Sequence, residues 1–156
     1  MRRVARDRGS VSIEVAVLAP AFIGLMVLAG VAGRTAVAGE AVESAAHDAA
    51  RAASIARDPR TGESDATDAA RRQLDWSGLR CTAPPVLSLS GSVGGAETTF
   101  RNAYGGAPGV PATVTVRVTC TVSFDDLRAP GLPLVLDGKT VSASFTSPLD
   151  TYRSRG

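Results

Sequence analysis

Few residues in this 156-residue sequence have the types and spacing that chemistry requires. His47 is the only histidine, so metal sites built from several histidines are excluded. Asp125 and Asp126 are adjacent carboxylates, but a Pro-Gly pair follows them and favours a turn over an acid–base pair. The glycine-rich stretches lead into no phosphate-binding helix start. We therefore predict no catalytic residue, no metal and no cofactor.

Cys81 and Cys120 are the two cysteines, and their spacing of 39 residues is not that of paired metal ligands. Cys120 falls on the apolar face of a predicted strand, and Cys81 opens the segment leading to the strand before it. A disulfide between them would persist in an oxidising compartment. We predict that bond, with two separate buried thiols as the alternative.

The N-terminal end combines basic residues, a carboxylate and a long apolar run. Residues 1–9 carry four arginines and one aspartate, a formal +3, so the remainder of the chain contributes −1 to the total of +2. Glu14 then precedes residues 15–33, which are 19 residues without a charge. At about 1.5 Å per residue this run reaches roughly 28 Å, close to the ~30 Å hydrocarbon core of a bilayer. We predict a single membrane-spanning helix.

The position of the basic charge indicates topology rather than nucleic-acid binding. Arginines ahead of a membrane span hold that end in the cytoplasm. We expect a basic cytoplasmic leader over residues 1–9, a transmembrane helix over 10–34, and an extracytoplasmic location for the remainder. The protein is then a single-pass cell-membrane protein with lipid, and not nucleic acid, as its partner.

Two ordinary interpretations exist for residues 1–38. A signal peptide cleaved after Ala38 is disfavoured, because the apolar run is too long and Arg34 precedes the cleavage site. An uncleaved anchor explains the length and the arginines. Glu14 would then lie in the headgroup layer, near a helix N-terminus that favours negative charge.

A third interpretation comes from residues 8–14, RGSVSIE, and the apolar run behind them. This stretch resembles the processing site of type IV pilins, in which a basic leader ends in Gly and the fifth mature residue is Glu. Gly9 would be the last leader residue, Ser10 the new N-terminus and Glu14 the fifth residue. With Pro20 included, the sequence resembles, over residues 8–45, the TadE family of tight-adherence (Flp-type) pilus systems.

This resemblance implies a structural protein rather than an enzyme: a minor pilin-like (pseudopilin) subunit or an assembly factor of a type IV-related pilus or secretion system. It implies a prepilin peptidase that cuts between Gly9 and Ser10. It also implies contacts with other pilin-like subunits and with pilus assembly platform proteins, and a role for Glu14 in registering an incoming subunit. The alternative function is a membrane-anchored extracytoplasmic binding protein with no pilus role.

The predicted elements begin with a helix over residues 10–57, which ends before Pro59. Small residues recur along it at spacings of three and four, and we expect this stripe to pack on the chain's own sheet or on other subunits. The stripe comprises Ala38, Val42, Ala45, Ala49, Ala52 and Ala56. We predict a polar turn over 58–64, a helix over 65–74 capped by Ser64, and a buried Trp76.

The remaining sequence is typical of β-structure. Residues 86–90 and 113–124 are predicted strands, the second with strict alternation of apolar and polar side chains. Residues 91–111 are predicted to form an exposed loop. A hairpin is predicted from residues 132–136 and 139–147 around Asp137-Gly138. Its inward residues are Val141, Ala143 and Phe145.

Together these elements predict an α+β fold, in which a long N-terminal helix packs on a small antiparallel sheet of three or four strands. By resemblance, this layout is pilin-like. We assign residues 35–57 to an extracytoplasmic continuation of the helix. Residues 58–156 are assigned to a small extracytoplasmic α+β domain.

Overall fold

A helix of 48 residues, α1 (Arg8–Ile55), runs through the first third of the chain. The computed structural model describes residues 8–124 and 138–152, with side chains described from residue 14 onwards. Both ends of α1 lie within two residues of their predicted positions. Pro20 lies inside the helix without ending it, whereas Pro59 follows its end, because a proline disfavours helical backbone in the residue before it.

The second helix, α2 (Pro59–Trp76), begins six residues earlier than predicted. Asp58 is its N-cap, and one carboxylate oxygen accepts hydrogen bonds from the backbone N–H groups of Arg60 and Thr61, each at 3.0 Å. Pro59 suits the first helical position, where a missing N–H leaves no bond unmade. The predicted turn over 58–64 and the Ser64 cap were therefore wrong, because the Asp-Pro pair starts the helix.

Four antiparallel strands form one sheet in the spatial order β2-β1-β3-β4. They are β1 (Val86–Val93), β2 (Ala96–Thr99), β3 (Ala112–Val122) and β4 (Lys139–Pro148). The alternation predicted for β3 is confirmed, since its apolar side chains are buried and the residues between them are half-buried or exposed. The predicted partner strand over residues 132–136 lies outside the described residues.

Residues 91–111 are not the exposed loop that the sequence predicted. The chain turns at Gly94 and Gly95, whose φ values of +60° and +85° suit glycine, and returns as β2. A short helix, α3 (Phe100–Tyr104), follows directly. Both of its aromatic rings are buried and meet edge to face at 5.2 Å, so contacts with the core order this segment.

The core lies between α1, α2 and one face of the sheet. Alanines of α1 face the valines of β3, and the small side chains allow the helix to approach the sheet closely. Most of the predicted stripe is buried, while Ala52 and Ala56 are half-buried. Ala46, Ala50 and Ala53 are buried as well, because α2 covers a second flank of α1. The fold is α+β with a pilin-like arrangement, as predicted.

Two predicted inward residues differ from expectation. Phe145 on β4 points towards α1, and the centroids of its ring and the His47 ring are 4.5 Å apart. It remains 38% exposed because β4 is an edge strand of the sheet. Trp76 is 86% exposed, so its predicted burial was wrong. Trp76 is the last residue of α2, and Leu74 supplies the buried contact at that end instead.

A close contact joins α2 to α1 and α3. The Tyr104 hydroxyl donates a hydrogen bond of 2.5 Å to the Ala53 carbonyl, and Gly62 lies directly over the Tyr104 ring. A Cβ at Gly62 would overlap the hydroxyl of this buried side chain. Gly62 is therefore fixed by the space available to it rather than by its backbone conformation.

We predict that Gly62→Ala lowers the free energy of unfolding by about 1–3 kcal/mol, since overpacking displaces the tyrosine from its hydrogen bond. Gly39→Ala is the matched control, because no atom lies within 4 Å of a Cβ built there. In that helix interior, alanine should stabilise the protein by about 0.5–1 kcal/mol. Denaturation of both variants checks this, and equal stability of the two would contradict the packing.

The Asp58 cap predicts a pH dependence of stability. Its hydrogen bonds, led by the Thr61 backbone N–H, hold the pKa of the Asp58 carboxyl below the ordinary value of 3.8. A carboxyl whose pKa is lowered by folding stabilises the protein above the unfolded pKa and loses this effect as pH falls through the folded value.

We therefore expect Asp58→Ala to lower the thermal midpoint at pH 7, and the deficit to shrink as pH falls below 3.8. Asp58→Asn is the control, because its amide oxygen caps the helix without titrating. Thermal unfolding followed by circular dichroism at several pH values measures both. A constant deficit for Asp58→Ala over this range would be inconsistent with a capping carboxylate.

Candidate functional site

The predicted processing residues lie at the start of α1. Gly9 and Ser10 belong to the first helical turn, whose N–H groups have no acceptor within the helix. The bond between them thus lies in the part of α1 that opens most readily. Glu14 follows Ser10 by four residues, or about one turn, and its side chain is exposed.

The first half of α1 is apolar on every face. No residue from 14 to 37 is buried, and large side chains such as Met26, at 75%, are exposed. The described part of the chain contains one helix long and apolar enough to cross a membrane; its most apolar window has a mean hydropathy of 2.4 and no buried residue. A helix that is apolar all round needs lipid or other helices around it.

A charged residue lies at each end of this apolar half. Arg34 Nη1 donates a hydrogen bond of 3.4 Å to the carbonyl oxygen of Ser123, just beyond the end of β3. Glu14 and Arg34 are 20 residues apart, which corresponds to roughly 30 Å of helix and matches a hydrocarbon core. The Thr35 hydroxyl donates to the Val31 carbonyl at 2.8 Å, so this polar group is satisfied within the helix.

Glycines leave space on the surface of the apolar half of α1. A Cβ built on Gly24 or Gly33 would meet no atom within 4 Å. Pro20 supplies no N–H, so it cannot donate the usual helical bond to the Ala16 carbonyl. Residues of this kind allow other helices to approach closely in a membrane.

The two cysteines are bonded to each other on the sheet side of the domain. The Cα atoms of Cys81 and Cys120 are 5.4 Å apart, and Cys120 is buried on β3. Beside this bond, the Thr82 N–H donates to the Thr121 carbonyl at 2.8 Å. The disulfide and this hydrogen bond tie the segment after α2 to the end of β3 that is nearest Arg34.

The remaining candidate residues do not form a chemical centre. His47 lies on the exposed face of α1, where its Nδ1 is 3.3 Å from an Asp48 carboxylate oxygen. Within residues 8–124 and 138–152, no three His, Cys, Asp or Glu side chains are grouped so as to hold a metal ion. Asp125 and Asp126 lie outside the described residues.

Sequence reasoning missed two features of the molecule. In the sequence Arg34 argues against a signal peptide, but a cation directly after an apolar run is also a sign of an interfacial residue. The cleft between α1 and α2, which Trp76 lines, had no signal in the sequence because it depends on how the two helices meet.

Comparison with known proteins bears on most of α1. No curated protein and no solved structure matches the chain. A protein-family model described as TadE-like protein matches residues 9–51. The matched segment starts at Gly9, contains Glu14 and the whole apolar run over residues 15–33, and ends where α1 lies on the sheet. The family is associated with assembly of Tad pili. The similarity to the TadE-like protein family thus covers residues 9–51 of this 156-residue chain.

Proposed function

We propose that the protein is a minor pilin-like (pseudopilin) subunit or an assembly factor of a tight-adherence, type IV-related pilus or secretion system. The observation that carries this proposal is the position of the family match on α1. The TadE-like segment contains the whole part of α1 that the domain leaves uncovered. That part has the length, the apolar surface and the small residues of a helix that lies among lipids and other helices.

The proposed orientation places the leader in the cytoplasm and the domain outside. Arg2, Arg3, Arg6 and Arg8 precede the span and favour retention of that end. A bond between Cys81 and Cys120 suits an oxidising compartment. In this arrangement Arg34 lies at the extracytoplasmic surface of the membrane, and Glu14 lies at its cytoplasmic surface.

Orientation is tested by reporters fused after Gly156 of the full chain. We expect activity from a reporter that works only outside the cytoplasm, and none from one that works only inside. Replacing the four leader arginines by serine is the control, and it should reduce the outside signal because the charge bias is lost. Activity of the cytoplasmic reporter on the unaltered chain would overturn the orientation.

The proposed processing step gives Glu14 a partner. Cleavage between Gly9 and Ser10 removes four arginines and creates a charged amine on Ser10, one helical turn from Glu14. In a partly dehydrated layer, a carboxylate without a partner is disfavoured. The Glu14 carboxylate can therefore pair with its own amine or with the amine of a neighbouring subunit, and the second pairing would register one subunit against the next.

We predict that the protein isolated from its native membrane begins at Ser10. Gly9→Leu should block processing, because a peptidase site at the membrane surface leaves little room for a side chain at that position. N-terminal sequencing of both proteins gives the answer. A start at Met1 in the unaltered protein would favour a plain anchor, and a start at Gly39 would indicate a signal peptide; either result would contradict the proposal.

Glu14→Ala should be processed normally yet enter the pilus fraction at least about tenfold less, because the incoming subunit loses its charge partner. Glu63→Ala is the matched control, since Glu63 is an exposed carboxylate on α2, far from the span. Quantitative immunoblots of membrane and sheared-pilus fractions measure the ratio. Equal incorporation of the two variants would remove the proposed role of Glu14.

A further inference from the structure

An open cleft lies on the surface where the C-terminal end of α1 meets the C-terminal end of α2. It has a volume of about 480 Å³, with Ala52 and Ala69 among its lining residues. Ile55, 70% exposed, and Trp76, 86% exposed, line the same cleft. An indole and a branched alkyl side chain left in water on one surface are typical of a protein–protein contact rather than of a domain surface.

The charge of this cleft is mainly positive. Arg51 and Arg72 line it, and neither guanidinium lies within 4 Å of a carboxylate in the part of the chain that the structure describes. The carboxylate of Asp48 also lines the cleft, but it contacts His47. Tryptophan and arginine are the residue types that most often dominate binding energy at interfaces. We call the surface of Arg51, Arg72 and Trp76 the upper cleft.

The same side of α1, nearer to its apolar half, carries the opposite charge. Glu40 and Glu43 are exposed and, with Phe145, line an adjoining cleft of about 470 Å³. Among the described residues, no cationic side chain lies within 4 Å of either carboxylate. One turn below Glu40, Val37 adds an exposed apolar side chain. We call the surface of Val37, Glu40 and Glu43 the lower patch.

The two surfaces complement each other but not themselves. The lower patch offers carboxylates and an alkyl group, and the upper cleft offers guanidinium groups and an indole. Two copies placed side by side at equal height would bring Arg51 near Arg51 and Glu40 near Glu40, which repel. A match requires one copy to be shifted along its helix axis by 11 residues, the spacing from Glu40 to Arg51, or roughly 16 Å.

We propose that the upper cleft of one molecule binds the lower patch of a second copy of this chain, in a head-to-tail contact between molecules at different heights. This inference rests on the proposed function and names the contact surface that it requires. In a pair of molecules joined in this way, one molecule still has a free upper cleft and the other a free lower patch. Further molecules can therefore bind at both ends and form a series. Two copies anchored at the same depth cannot form it; it forms when one has moved outward.

Cross-linking between two differently tagged full-length copies, in whole cells of the native host that are assembling the pilus, tests the contact. One copy carries Glu40→Cys and the other Arg51→Cys; the native cysteines are bonded to each other and do not compete. We expect a cross-linked band containing both tags. Glu63→Cys paired with Arg51→Cys is the matched control and should give none, because Glu63 lines neither surface.

Aromatic variants sharpen the same experiment. Trp76→Ala should reduce the two-tag band at least about tenfold, as for a central interface tryptophan. Tyr152→Ala, at a site 92% exposed and outside both clefts, should leave the band unchanged. Since Trp76 is the only tryptophan, association should also move the protein's fluorescence emission to shorter wavelength.

Three outcomes would overturn the contact. They are a band from Arg51→Cys with itself at the expense of the mixed pair, cross-linking of Arg51→Cys to a different protein only, and equal effects of Trp76→Ala and Tyr152→Ala. The proposed function fails separately, through the N-terminal sequence and the pilus fraction. Loss of the cross-link with a start at Ser10 and normal incorporation rejects this contact alone.

Discussion

The rest of the structure depends on one continuous helix whose surroundings change along its length. Between Glu14 and Arg34, α1 is apolar on all sides and has no buried residue. From Ala38 onwards, small residues on one side lie against β3 and α2 while charged residues occupy the opposite side. The two halves have opposite requirements, since the first needs a non-aqueous environment and the second needs a close-packed protein surface. No break in the helix separates the two halves.

Two hydrogen bonds join the domain to α1 at different heights, and a disulfide ties two parts of the domain together. Arg34 is bonded to the chain just after β3, the Cys81–Cys120 disulfide ties the segment after α2 to the sheet, and Tyr104 is bonded to Ala53 near the top of α1. Closing a loop of 39 residues stabilises a fold by about 4 kcal/mol in the chain-entropy model. A core built largely from alanine and valine buries little area per residue, so these attachments matter to its stability.

Patterns with strong periodicity could be predicted from the sequence, and contacts between distant elements could not. The bounds of α1 and the alternation of β3 follow from local spacing alone. The proposed processing residues Gly9 and Ser10 and the proposed assembly residue Glu14 come from a motif. The start of α2 was missed because Asp58 and Pro59 are also common in turns. The α3 segment needed the burial of Phe100 and Tyr104 to become ordered. Trp76 lies in water because Leu74 fills the core at that end of α2, which no local pattern indicates.

The central claim is that α1 passes from cytoplasm through lipid to an outer domain, with Glu14 and Arg34 at the two boundaries. Single cysteines labelled on intact cells with a membrane-impermeant maleimide test it most directly. Gly39→Cys should be labelled on intact cells, Ser12→Cys only after the membrane is made permeable, and Met26→Cys in neither case, because lipid excludes the water-soluble reagent. Labelling of Met26→Cys on intact cells would contradict the account, since that side chain would then lie in water.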